Sequence, residues 1–166
     1  RDVISLPDGS LWLGLWQHGL MRWDPAGNHQ YWLQDMAQLK VGDAVQVVQQ
    51  IDGKIWLGTR YSGVFVLDPG TGDLQALTQL MPADQAVDVQ CIAKGPDDTV
   101  LVCSRNGLLS VDLQHGIVSD LGDGIHLEDT ELLGAYTDEQ NNIWLLSAYG
   151  LSLKPYQQNR LITFTE

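Results

Sequence analysis

The chain has 166 residues, 21 acidic against nine basic, a net charge of −12 and 44% apolar content. That suits one domain with a real core and exceeds what a disordered tail carries, while no apolar run approaches the roughly 20 residues that cross a bilayer. Acidity of this size opposes phosphate backbones and anionic lipid, so nucleic acid is not an expected partner.

A repeat precedes every individual element. Residues 6–14, 50–58, 95–103 and 138–146 align, with Trp12, Trp56, Leu101 and Trp144 at one position. A second anchor, Gly19, Gly63, Gly107 and Gly150, is followed each time by an apolar residue. Both anchors keep a period of about 44 residues, the length of a four-stranded propeller blade.

In chain order, each unit opens on a strand A with alternating apolar positions, such as Val45 and Val47, Cys91 and Ala93, or Leu133 and Ala135. A three-residue turn is expected next in every unit, with Gly9, Gly53, Asp98 and Asn141 where φ must be positive. Strand B, as in Ile55 to Gly58 and Ile143 to Leu146, is apolar at successive positions, so both faces of its sheet should be covered. Strand C follows the second glycine at 20–23, 64–67 and 108–111 and stops at Asp24-Pro25, Asp68-Pro69 and Asp112. Strand D, at 30–33, 74–78, 117–121 and 161–164, is more polar, as an outer edge should be. Segment 34–41, the only helical candidate, reads as a loop. The expected fold class is therefore all-β: a β-propeller of about four four-stranded antiparallel blades, spanning about 1–35, 41–79, 86–122 and 129–166 as a single partial propeller domain.

The runs Asp8 to Asp24 and Asp52 to Asp68 carry Asp-Gly, Trp-Leu-Gly, a further Gly and a closing Asp in the same order. This pattern resembles the two-component regulator propeller repeat. Blade 4 keeps Asp138, Trp144 and Gly150, whereas blade 3 is degenerate at Leu101 and Cys103. The resemblance covers essentially the whole chain. It implies part of a seven-bladed type of propeller in the extracytoplasmic, periplasmic input region of a bacterial membrane receptor, either a histidine kinase or a diguanylate cyclase. None of the output motifs lies within these residues, so the piece itself is expected to be non-catalytic.

No nucleophile elbow, phosphate-binding Gly loop, His-Glu-x-x-His or Cys-x-x-Cys is present, and neither a metal nor a cofactor is expected. His18, His29, His115 and His126 show no ligand spacing and read as scattered surface residues. Cys91 and Cys103 should face each other across strands A and B of blade 3, if Gly95 pairs with Thr99. Counted outward, that places them at a hydrogen-bonded pair, where side chains are farther apart, and a reduced thiol pair is expected over a disulfide.

In a propeller, the B to C loops and the loops from D to the next A share one face. That rim collects Trp16, His18, Arg60, Tyr61, Arg105 and Tyr149, aromatics beside cations of the kind that bind a small molecule, a glycan or a protein partner. Asp43, Asp88 and Glu131 stand seven residues ahead of the turn-opening position in their units and are expected to ring the channel mouth. They either cap the entry to strand A or offer a negative mouth to a basic group. The alternative function is a propeller lyase or hydrolase using these carboxylates with a rim His, which needs two titratable groups within reach of one substrate atom. Just under four periods fit a closed four-bladed ring or a part-ring, and the resemblance points to the part-ring. Two apolar blade faces would then lie uncovered, and self-association is expected.

Overall fold

The structure, a computed structural model, describes residues 2–34, 38–81, 88–123 and 131–164. Among these residues the regular elements are all strands, arranged as four antiparallel four-stranded sheets. Blade 1 contains β1 (Val3–Ser5), β2 (Leu11–Leu15), β3 (Gly19–Trp23) and β4 (His29–Trp32). Blade 2 contains β5 (Val45–Ile51), β6 (Lys54–Thr59), β7 (Val64–Leu67) and β8 (Leu74–Ala76). Blade 3 has β9 (Val89–Lys94), β10 (Val100–Ser104), β11 (Gly107–Asp112) and β12 (Ile117–Asp120). Blade 4 has β13 (Leu132–Thr137), β14 (Ile143–Ser147), β15 (Gly150–Lys154) and β16 (Ile162–Phe164).

Each sheet is a meander in which only sequence neighbours pair, because short turns connect every strand to the next. The turns hold the residues whose composition announced them. Gly9, Gly53, Asp98 and Asn141 all have positive φ. Three of the A to B loops span three residues, closed by Leu6 N–H to Ser10 O, Gly95 N–H to Thr99 O and Asp138 N–H to Asn142 O. Blade 2 departs from the expected pattern. Ile51 pairs directly with Lys54, leaving only Asp52 and Gly53 in the loop, both at positive φ. An Asp-Gly pair in that conformation is the type I′ turn whose twist matches its flanking strands, so no third residue is needed.

The blades stack face to face, and three apolar clusters fill the three joints. Trp12, Leu20, Val48, Leu57 and Phe65 lie between blades 1 and 2. Trp56, Val64, Val89, Val102 and Leu109 lie between blades 2 and 3. Leu101, Leu108, Leu132, Ile143 and Leu145 lie between blades 3 and 4. Every residue of β10 is therefore buried, while β2 and β14, in the end blades, bury one face only. Among the described residues the packed strands belong to successive blades and the outer faces of blades 1 and 4 carry exposed apolar side chains, so the four blades form an open arc, not a closed ring.

Cys91 and Cys103 pair in the expected register, but their sulfurs are bonded, not reduced. Their Cα atoms are 4.9 Å apart, within the span a disulfide bridges. The ladder shifts register immediately after Cys103, and such a bulge disturbs the regular alternation of wide and narrow pairs on which the reduced expectation rested.

Candidate functional site

The rim is built by the B to C loops, and those of blades 1, 2 and 4 are held against the start of a strand A by backbone hydrogen bonds. Gln17 N–H donates to Asp43 O across the first joint, and Asp88 N–H donates to Arg60 O across the second. Within blades, Arg60 N–H donates to Ala44 O and Ala148 N–H to Glu131 O. These bonds make Ala44 the counterpart of Asp88 and Glu131. Asp43 stands one residue ahead of them, because the shorter turn of blade 2 displaces the count by one.

The three acids consequently have different surroundings. Asp43 is 1% exposed, and its Oδ1 accepts from Ala44 N–H at 2.8 Å and Tyr61 N–H at 2.9 Å. This carboxylate caps the entry to β5 and fixes the adjacent loop. Its Oδ2 is buried with no hydrogen-bond partner among the described residues. Asp88 accepts at Oδ1 from the Gln46 amide, 3.0 Å away, and its Oδ2 lies 3.4 Å from the Arg105 guanidinium. Gln46 also donates to Val89 O, so one amide spans blades 2 and 3. Glu131 is exposed, tied to its blade's B to C loop through its carbonyl.

Trp16, His18, Tyr61, Arg105 and Tyr149 are exposed and Arg60 is half-buried. The Arg60 guanidinium lies 5.0 Å from the centroid of the Tyr61 ring, a cation–π contact that holds both side chains up at the rim. Trp16 bridges to Ala44 through its backbone, placing its indole at the first joint. His18, Gln17 and Asp43 share a cavity of about 340 Å³ with Leu33, Leu39 and Lys40. The structure thus sets His18 on the same cavity as Asp43, bonds Tyr61 N–H to Asp43, and pairs Arg105 with Asp88. His29 and His115 are exposed elsewhere and His126 lies outside the described residues.

Gln17 and Gln46 escaped the sequence reading. Gln46 sits at the bulge between Val45 and Val47, whose side chains go to different joints, and a bulge leaves no mark in residue order. Gln17 had no signal beyond its loop.

No protein-family model matches the sequence, and neither does any curated protein. Solved structures do match. The extracellular domain of the hybrid two-component system BT3049 from B. thetaiotaomicron superposes with a TM-score of 0.73 at 16% identity, over 99% of this chain and 21% of its own. The corresponding domain of BT4673 from the same organism gives 0.73 at 20% identity, over 94% of this chain and 21% of its own. Regucalcin, a calcium-binding protein of Agrobacterium tumefaciens, gives 0.64 at 16% identity, over 93% and 56% respectively. The fold is that of a β-propeller, and the chain spans about a fifth of the length of the two extracellular domains.

Proposed function

We propose that this chain is a segment of the extracytoplasmic input propeller of a bacterial membrane signalling receptor, of the two-component histidine kinase or diguanylate cyclase type, and that it lies in the periplasm. The observation carrying this is the likeness of 94% or more of the chain to two extracellular domains of two-component systems. The repeat pattern of blades 1 and 2 points the same way. Ligand contact belongs to the rim, where the stacked Arg60–Tyr61 pair and the cavity beside His18 and Asp43 face outward. Such a surface takes a small molecule, a glycan or a periplasmic protein by stacking and charge-assisted bonds.

The enzymatic alternative fits less well. Asp43 spends one oxygen on two backbone N–H groups and is occluded from solvent, while Asp88 is engaged by a guanidinium and an amide. General acid–base chemistry asks for carboxylates free to reach one substrate atom.

Reading the gene on both sides of this segment tests the assignment: a membrane-spanning stretch followed by a kinase or cyclase is expected, and a cytosolic chain without an output domain overturns it. Once a ligand is in hand, Arg60→Ala and Tyr61→Ala should each weaken its binding about tenfold or more at nearly unchanged thermal stability. Unaltered affinity in both variants removes that pair from the binding surface.

A further inference from the structure

The joint between blades 3 and 4 is filled differently from the other two. At the first and second joints the signature tryptophans, Trp12 and Trp56, are 1% and 2% exposed and belong to the apolar clusters. Blade 3 has Leu101 at that position, paired with Ser110 where Trp12 pairs with Arg22 and Trp56 with Val66. A leucine fills less space than an indole, and a close-packed joint relaxes only partly around such a loss.

A cavity of about 210 Å³ lies at this joint, at the end of the stack opposite the rim. Its position is that of the missing ring. In blade 1 the Trp12 indole N–H donates to the Ser10 hydroxyl, which donates to Asp8, and the Arg22 guanidinium lies over the ring. The counterparts of those three residues in blade 3, Thr99, Asp97 and Ser110, all line the cavity. The Thr99 hydroxyl gives its proton to Pro96 O, 2.6 Å away, and Asp97 Oδ1 accepts from the Tyr156 hydroxyl at 2.8 Å. Both keep lone pairs for a further donor. Blade 3 thus retains the acceptors that serve the tryptophan of blade 1 and lacks the tryptophan.

The opposite wall comes from blade 4 and carries a cation. Ile143 and Pro155 supply apolar surface, and Lys154 lies beside Ile143 on the side facing blade 3. Leu67 and Val111 hold its position in blades 2 and 3 and are buried at their joints. The Lys154 ammonium donates to Gln158 O at 3.1 Å and, among the described residues, forms no ion pair. It has three donors, so it can take an anion without giving up that bond.

We propose that this cavity binds a small aromatic acid whose ring also carries a hydrogen-bond donor, of the indole carboxylate kind. The ring occupies the place of the absent tryptophan, its N–H donates to Thr99 or Asp97, and its carboxylate pairs with Lys154. The volume is below the roughly 300–1,000 Å³ of drug-sized sites, which restricts the ligand to one or two fused rings. The site is separate from the rim and does not depend on what the rim binds.

Calorimetric titration of the chain with indole-3-acetate tests it. Saturable binding with a Kd below about 1 mM is expected. Leu101→Trp puts the chain's own indole into the cavity and should abolish that binding. Ser110→Leu, which fills the cavity from β11, takes its place if circular dichroism shows that the first variant does not fold. Lys154→Met keeps the aliphatic stem and should weaken indole-3-acetate about tenfold or more, while indole itself, which has no carboxylate, stays within about twofold of its wild-type affinity. No saturable binding of either compound overturns the proposal. Undiminished binding by the filled variant overturns it by placing the ring elsewhere, and an unchanged affinity of Lys154→Met for indole-3-acetate overturns the carboxylate contact.

Discussion

At the residue scale, the turns are set by aspartates whose carboxylates gather nearby donors. Asp138 accepts from the backbone of Gln140 and Asn142 and from the indole N–H of Trp144, 2.9 Å away. Blade 1 reaches the same end through an intermediary: Trp12 donates to the Ser10 hydroxyl, which donates to Asp8. The repeat thus couples its signature tryptophan to its signature aspartate. The Trp144 bond, followed by burial acting the other way and by the Asn142 bonds, holds the Asp138 carboxyl below its ordinary 3.8. Since the folded value lies below the unfolded one, this bond contributes stability above about pH 4 and surrenders it as pH falls through the depressed value. In an NMR titration, the Trp144 indole N–H resonance should shift with a midpoint below 3.8, and Asp138→Asn should abolish that shift. A midpoint at or above the ordinary value contradicts the bond.

At the element scale, the hairpin of β9 and β10 carries a covalent tie that its three counterparts lack. The disulfide closes a short loop, and loop-closure arithmetic assigns a link of this length about 3 kcal/mol. Cys103 occupies the place of Gly14 and Gly58, so the bridge also fills part of the joint with blade 4. Thiol counting in denaturant without reductant should find no free thiol, and reduction should lower the unfolding free energy by about that amount in a urea titration. Two titratable thiols before reduction would contradict the bond. Register was legible in the sequence, because turn type and pairing fix it arithmetically. Bonding was not, because it depends on local strand spacing at a bulge, which leaves no mark in residue order. The same limit explains Asp43: a one-residue difference in turn length, hidden in Ile51-Asp52-Gly53-Lys54, moved it out of step with Asp88 and Glu131.

At the scale of the whole molecule, the period near 44 residues and the continuous apolar strands B were enough to foresee stacked four-stranded blades. The rim was legible only as a collection of loops. Which side chains meet there depends on how one blade sits on the next, as with Gln46 reaching Asp88. The signature glycine proves to be a device of that stacking. A Cβ on Gly58 would lie 2.5 Å from Val89 Cγ1 and 2.9 Å from its Cβ, both in blade 3. Gly58→Ala should accordingly destabilise the chain by about 1–3 kcal/mol through overpacking, read as a lower urea midpoint. Gly72→Ala, in an exposed turn with open space around it, should lose only what its positive φ costs, about 1 kcal/mol. Equal losses would mean that the joint is not tight.

The row Gly14, Gly58, Cys103 has a mechanical meaning. At the first two joints the missing side chain lets the following strand A press against bare backbone, and aliphatic rows lock together on either side. At the third, a bridged cysteine takes the place of those glycines within the apolar cluster, and blade 4 has Ser152 and Lys154 on β15 where blade 2 has Phe65 and Leu67. Partial burial pulls the Lys154 ammonium's pKa down, a sign that its charge sits poorly there. The third joint therefore keeps an apolar centre of Leu101, Leu132 and Leu145 but turns polar on β15, where the first joint stays aliphatic and aromatic.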